Sequence, residues 1–171
     1  KTHYTTRLYA TEYESAIQRY EADPNLVLRR LWGGNVSLRR INALAVGFMS
    51  DGFEHLYHED TDFGLRCAQA GLLGVFDRQL AARHAHTRNS AEFLRDAWSQ
   101  GAARVLLHHR YPTEGFRSWL EAGRFQKIVT NLSRHDHLSD GVTSTLLQVE
   151  KLGISLPTHV GRFLRCISRH R

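Results

Sequence analysis

The sequence predicts an α/β protein in which a small mixed sheet with helices is followed by a helical C-terminal region. Short β-prone runs lie at residues 26–32, 72–76 and 79–83, and helical patterns separate the first run from the other two. From residue 90 onwards the apolar residues follow the helical period alone, which predicts helices there.

The N-terminal elements are delimited by turn-forming residues. A helical pattern at 10–21 ends at Asp23-Pro24-Asn25, because proline and its polar neighbours favour a turn. After the strand predicted at 26–32, Gly33-Gly34-Asn35 marks a second break. A helix is then predicted at 39–46, and a loop with Gly and Ser-Asp-Gly continues to residue 58.

The helix predicted at 59–70 has clear signals at both ends. Acidic side chains occupy its first turn, where the helix dipole favours negative charge. Phe63, Cys67 and Ala70 share one apolar stripe, and Gly71 suits the position after a helix C-terminus.

The C-terminal half is predicted to be helical throughout. Asn89-Ser90 can cap a long helix that reaches residue 109, and Tyr111-Pro112 ends it. A domain boundary at residue 112 divides the chain into 1–112 and 113–171. Three further helices are predicted, at 114–132, 139–152 and 158–168.

Composition excludes several classes of protein. The 171 residues are 42% hydrophobic and 23% charged, which excludes a disordered chain. The apolar runs are too short for a membrane-spanning helix, and no signal peptide is visible. Two cysteines are too few for a disulfide scaffold, so a reducing compartment is expected. The net charge of +6 permits an anionic partner without indicating one.

Three local motifs contain residues that could bind a ligand, act as a general base or bind a metal. Gly33-Gly34-Asn35 allows close approach of backbone to a ligand and offers an amide, although the motif alone is better explained as a turn between strand and helix. The segment from His58 to Asp62 crowds carboxylates at a helix start, which can raise the pKa of one of them and suit a general base. His84 and His86 stand at the end of the strand predicted at 79–83, where alternation would put both rings on one face so that they could bind a metal, although such a pair is more often a surface feature.

Taken in this order, the signals resemble the acceptor half of family 2 glycosyltransferases, which are inverting enzymes of the GT-A fold. The similarity runs from Trp32 to Pro112 and includes the Glu-Asp-x-Asp helix and the long helix after residue 89. It implies that residues 1–112 are the acceptor-side part of a GT-A-like mixed sheet and that 113–171 are a helical appendage.

The resemblance also implies roles for individual residues. Asp60 matches the catalytic base that accepts the proton of the acceptor hydroxyl. Glu59 and Asp62 would orient the acceptor or support the base. The pocket beside donor sugar and acceptor would be lined by Gly33, Gly34 and Asn35.

A divalent metal, Mn²⁺ or Mg²⁺, is implied for the complete enzyme. His84 matches the histidine that completes its site in many relatives, and His86 is the fallback. The metal would offset the charge of the leaving diphosphate. The N-terminal α/β half with its Asp-x-Asp motif has no counterpart before Trp32, so the chain is expected to be a C-terminal part that binds neither metal nor sugar nucleotide alone.

The implied partners are a nucleotide-sugar donor and a carbohydrate or lipid-linked acceptor, in the cytoplasm or at the inner face of the membrane, for polysaccharide or glycoconjugate synthesis. Nucleic acid is not expected, and homo-oligomerisation is left open. Two alternatives compete with this interpretation. One is a basic membrane-surface or interaction module that uses residues 151–171, where one apolar stripe of a helix would meet the membrane; the stripe consists of Val160, Phe163, Leu164 and Ile167. The other is a non-catalytic metal protein built on histidine pairs.

Overall fold

The computed structural model describes residues 4–49, 57–83, 89–114, 134–154 and 158–170. Within these ranges, 68% of the residues are helical and none forms a β-strand. The predicted α/β class with a GT-A-like mixed sheet is therefore wrong, because the described part of the chain is mainly helical.

The described residues contain seven α-helices and one 3₁₀ turn. They are α1 (Tyr4–Ala22), α2 (Leu26–Arg29), α3 (Arg40–Val46), α4 (Glu59–Gln69), α5 (Ser90–Arg110), a 3₁₀ turn (Pro112–Glu114), α6 (Asp136–Lys151) and α7 (Thr158–His170). The chain divides into two compact units, one of residues 12–85 and the other of residues 1–11 with 86–171. The predicted boundary at 112 refers to a catalytic domain, and it stays a prediction.

In the unit of residues 12–85, α4 packs against both α2 and α3. The buried core of this packing is Leu31, Phe63 and Cys67, with Leu28, Val46 and Leu72 around them. Gly64 allows the close contact, because a Cβ atom there would stand 2.1 Å from the carbonyl oxygen of Leu28.

The predicted strand at 26–32 is wrong because its first residues form α2. The backbone amide of Arg30 donates to the carbonyl of Leu26 at 2.8 Å, a helical hydrogen bond that closes this short element. A short apolar run does not distinguish a strand from a buried helix by its periodicity, and here the bare backbone of Gly64 accommodates a helix.

The two later strand predictions fail for a different reason. Residues 72–76 have no regular secondary structure, and Leu73 and Val75 point outwards with 90% and 87% of their surface exposed. Among the described residues, however, no neighbouring strand pairs with this segment. Residues 79–83 follow a turn in which the amide of Leu80 donates to the carbonyl of Asp77 at 3.2 Å, and they form no strand where described.

The second unit is organised around α5, which packs against α6 and α7. As predicted, α5 begins at an Asn89 cap. The Asn89 side chain accepts from the Glu92 amide at 2.9 Å, and the Glu92 carboxylate accepts from the Asn89 amide at 3.0 Å. This reciprocal capping box satisfies two backbone donors that the helix cannot. The core consists of Leu8, Phe93, Leu94 and Leu164.

Helix α7 uses its apolar stripe for packing. Leu164 and Ile167 are buried, and Ser168 donates its hydroxyl to the Leu94 carbonyl of α5 at 2.7 Å. The buried Arg165 guanidinium lies 4.6 Å from the ring centre of Phe93. The stripe proposed to meet a membrane therefore faces the protein here, and the membrane-surface hypothesis stays a prediction.

The remaining sequence predictions have mixed outcomes. The helices predicted at 10–21, 39–46, 59–70, 139–152 and 158–168 are confirmed, with ends that differ by up to six residues. Beyond Glu114, the helix predicted at 114–132 lies outside the described residues. No helix of the described chain is both long and apolar enough to cross a membrane.

Candidate active site

The first turn of α4 contains three carboxylates, from Glu59, Asp60 and Asp62. The residue before it, His58, has φ 79° and ψ 15°, which is the left-handed region that non-glycine residues rarely occupy. Such backbone strain is common at functional sites. The acidic first turn of α4 therefore begins directly after a residue with a strained backbone.

Asp60 joins the two main sequence signals. One carboxylate oxygen, Oδ2, accepts from the Gly33 amide at 2.9 Å, although the two residues are 27 positions apart. The other oxygen, Oδ1, accepts from the Thr61 amide at 2.7 Å. A Cβ atom at Gly33 would stand 3.1 Å from the Cβ of Asp60, so the absence of a side chain permits this approach. The Gly-Gly turn and the acidic helix thus form one site.

Asp62 serves a structural purpose in this arrangement. Its side chain is fully buried and accepts from Nε of Arg66 at 3.0 Å. The same guanidinium donates to the carbonyls of Val46, Gly47 and Phe48 at 2.8, 3.0 and 2.8 Å. The pair therefore holds the end of α3 against α4, and Asp62 faces away from any open surface.

The other predicted site residues differ in their surroundings. Glu59 is half-buried beside Asp60. Gly34 is exposed, and no atom lies within 4 Å of the position of a Cβ there. Asn35 is also exposed, and its Nδ2 donates to the Leu80 carbonyl at 2.8 Å. The amide of Asn35 therefore joins the Gly-Gly turn to the 77–80 turn in this structure.

Sequence reasoning missed Tyr20, which lies near Asp60. Its hydroxyl donates to the Arg30 carbonyl. Partial burial raises the pKa of the Tyr20 hydroxyl to about 12, and the negative charge of Asp60 adds to the rise. The phenol is thus a neutral hydrogen-bond donor over the physiological range. No local motif marks Tyr20, because its partners lie elsewhere in the chain.

The predicted metal ligands are not tested. His84 and His86 lie outside the described residues. Within the described ranges, no three His, Cys, Asp or Glu side chains are grouped to hold an ion. Asp60 and Asp62 bind different protein groups and do not present a joint oxygen cluster. The described residues therefore do not fit a Mn²⁺ or Mg²⁺ site, and no chemical step here is assigned to a metal.

The histidine pairs behind the metal-protein alternative have ordinary surroundings where they are described. The rings of His108 and His109 are 6.0 Å apart on α5, and His135 and His137 are exposed. Neither pair is joined by a third ligand in the described part of the chain. The alternative stays a prediction without structural support.

Comparisons with known proteins return no match: no family model, no curated protein and no solved structure is similar to this chain. The identification with family 2 glycosyltransferases is therefore wrong as a family assignment. The structure contradicts it as well, because no strand of a GT-A sheet is present in the described ranges.

Proposed function

We propose that this chain supplies the hydroxyl-activating part of a sugar-transferring enzyme, with Asp60 as the general base. The observation that supports it most is the 2.9 Å hydrogen bond from the Gly33 amide to Asp60, which joins two sequence-distant signals into one site. Catalytic carboxylates need such fixed orientation, since a displaced base loses the benefit of proximity.

The hydrogen bonds of Asp60 leave it able to accept a proton. A carboxylate offers about four lone-pair positions. The Gly33 amide occupies one on Oδ2, while the Thr61 amide and, at 3.4 Å, the Thr61 hydroxyl both donate to Oδ1. The position left on Oδ2 can accept a hydrogen bond from the acceptor hydroxyl. As that proton moves to Asp60, the acceptor oxygen bonds to the anomeric carbon of the donor sugar. The bond from that carbon to the nucleoside diphosphate breaks, and the diphosphate leaves with the electron pair.

Asp60 suits this role better than the neighbouring acids do. Asp62 is buried and paired with Arg66, so a substrate cannot reach it without breaking that pair. Glu59 has a longer side chain and no hydrogen bond among the described residues that would hold it in one orientation. We therefore assign proton transfer to Asp60, packing to Asp62 and acceptor orientation to Glu59.

The donor in this proposal is a nucleotide sugar, and the acceptor is a carbohydrate or a lipid-linked hydroxyl. The direct displacement inverts the configuration at the anomeric carbon, because the acceptor attacks from the face opposite the leaving group. The membrane-surface alternative has less support, since the apolar stripe of α7 packs inwards.

The experiment uses the natural protein that carries this sequence. It would be incubated with UDP-glucose, UDP-N-acetylglucosamine or GDP-mannose and a panel of free and lipid-linked saccharides. Mass spectrometry detects the product, and NMR reads its anomeric configuration. We expect transfer with inversion from at least one donor. Transfer with retention, or no transfer to any acceptor, would contradict the proposal.

A further inference from the structure

We infer that Trp32 and Tyr13 form a binding platform for a neutral pyranose ring beside Asp60. The role of this ring as a substrate rests on the proposed function, whereas the platform itself rests on the geometry of two exposed aromatic side chains. Neither side chain carries a role in the sequence predictions, although Trp32 begins the glycine-rich motif.

The two rings form an exposed aromatic surface. Their centroids are 4.6 Å apart and their planes meet at 63°, an edge-to-face arrangement. Trp32 is 41% exposed and Tyr13 is 48% exposed. An edge-to-face pair leaves each ring at least one face that its partner does not cover. The pair therefore offers aromatic faces to a ligand in a geometry that the contact between the rings fixes.

The platform adjoins the candidate base. Trp32 precedes Gly33, whose amide donates to Asp60 at 2.9 Å. On the other side of that glycine, Gly34 has open space where a side chain would stand. Asp60 and Tyr13 each raise the pKa of the Tyr20 hydroxyl, so each lies within electrostatic range of Tyr20. A ligand on the aromatic surface would thus have a carboxylate and open backbone beside it.

This combination matches the chemistry of a pyranose. One face of such a ring presents C–H groups that pack on aromatic faces, and its rim carries hydroxyls that donate to carboxylates. Binding sites for small ligands generally pair an apolar surface with a few placed polar groups. A nucleotide could also stack, but the Glu59 and Asp60 carboxylates disfavour its phosphates. The local charge therefore favours a neutral sugar.

An internal control is present in the same chain. Trp98 on α5 is 50% exposed, slightly more than Trp32, and it belongs to the other unit. Among the described residues it has no aromatic partner within ring-contact distance. General affinity of exposed indoles for sugars would affect both tryptophans alike, whereas a platform affects Trp32 alone.

The test is an NMR titration of the full chain with methyl glycosides of glucose, galactose, mannose and N-acetylglucosamine, with UDP as a comparison. We expect at least one glycoside to shift the Trp32 indole signal, leave Trp98 unchanged and receive saturation at its C–H protons. Trp32→Ala should weaken binding about tenfold, while Tyr13→Phe, which keeps the ring, and Trp98→Ala should not. Trp32→Leu, which retains apolar packing, should lose binding as Trp32→Ala does.

Several results would overturn the inference: no glycoside shifts Trp32, both indoles respond equally, UDP shifts Trp32 more than every glycoside does, or Trp32→Leu binds like the wild type. Its failure is distinguishable from failure of the proposed function. Glycoside binding that requires Trp32 in a protein without transferase activity would retain the platform and reject catalysis. Sugar transfer that requires Asp60 but does not depend on Trp32 would retain the proposed catalysis and reject the platform.

Discussion

Replacing Gly64 with alanine is expected to destabilise the unit of residues 12–85 and disturb the site. The new Cβ would stand 2.1 Å from the Leu28 carbonyl oxygen and 2.7 Å from the Leu31 Cβ, whereas ordinary contacts begin at 3.4 Å. The distance to the Leu28 oxygen is more than 1 Å shorter than an ordinary contact, and the obstructing atom belongs to the backbone rather than to a flexible side chain. Helix α2 must therefore move away from α4, and Trp32 and Gly33 follow it in the chain.

The expected magnitude has two opposing parts. Overpacking a buried contact costs about 1–3 kcal/mol, and a backbone obstacle belongs at the upper end of that range. Alanine recovers about 1 kcal/mol relative to glycine within a helix. The net loss should be about 2 kcal/mol. Gly141 in α6 is the matched control, because a Cβ there meets nothing within 4 Å and Gly141→Ala should stabilise by about 1 kcal/mol.

Urea unfolding measures this difference. With Trp98 and Trp119 replaced by phenylalanine, the fluorescence of Trp32 reports on the unit of residues 12–85. Hydrogen exchange of the Gly33 amide, which should accelerate in Gly64→Ala, reports on its bond to Asp60. If Gly64→Ala were as stable as the wild type and protected the Gly33 amide equally, the tight α2–α4 packing described above would be refuted.

Three other outcomes are expected. His58→Gly should raise the free energy of unfolding by about 1 kcal/mol, because glycine adopts φ 79° without strain, whereas His109→Gly on the exposed face of α5 should lower it; equal losses in both would contradict the strain at His58. The pKa of Tyr20 is about 12 when folded and 10.0 as a free phenol, so its neutral form contributes stability that is complete below pH 10 and lost as the pH rises towards 12. Over that interval the free energy of unfolding of the wild type should therefore fall by on the order of 2 kcal/mol more than that of Tyr20→Phe, with allowance for partial exposure. Urea unfolding at a series of alkaline pH values measures both, and an equal pH dependence of the two proteins would refute this. Calorimetric titration of the chain with Mn²⁺, with and without UDP- and GDP-sugars, should show no micromolar binding, whereas tight stoichiometric metal would favour the histidine-based alternative.

The helices were predictable where their signals are local. The Asn89–Glu92 capping box, the acidic first turn of α4 and the glycine after it, Gly71, all stand within a few residues of the helix ends they mark. The left-handed φ of 77° at Gly71 is the conformation that a glycine in this position adopts most readily.

The absence of a sheet from the described residues was not predictable in the same way, because strand pairing depends on distant residues. Residues 72–76 form a short apolar run, which predicts a strand, and in the structure Leu73 and Val75 are exposed while the residues on either side of them are partly buried. No pattern within the segment states whether a second strand lies beside it. For residues 26–29, the deciding feature is Gly64, more than 30 positions away, whose bare backbone admits α2.

In the candidate site, too, residues with local signals could be predicted from the sequence, whereas residues that meet only through folding could not. Gly33 was selected from the sequence by residue type and Asp60 through the resemblance to family 2 glycosyltransferases, and the structure brings them together. The pairing of Asp62 with Arg66 is an i,i+4 spacing that could have been recognised. Tyr20 and Tyr13 could not have been found, since their relation to the site arises from chain folding alone.

The most direct test of Asp60 as the general base is the turnover of Asp60→Asn in the natural protein at saturating acceptor. The amide keeps the shape of the side chain but does not accept the proton, so kcat should fall by about 10²–10⁴-fold with little change in the acceptor KM. Glu59→Gln, which leaves Asp60 intact, should alter mainly KM. An Asp60→Asn enzyme that retained more than about a third of wild-type turnover, against the 10²-fold minimum expected for loss of a base, would contradict the account.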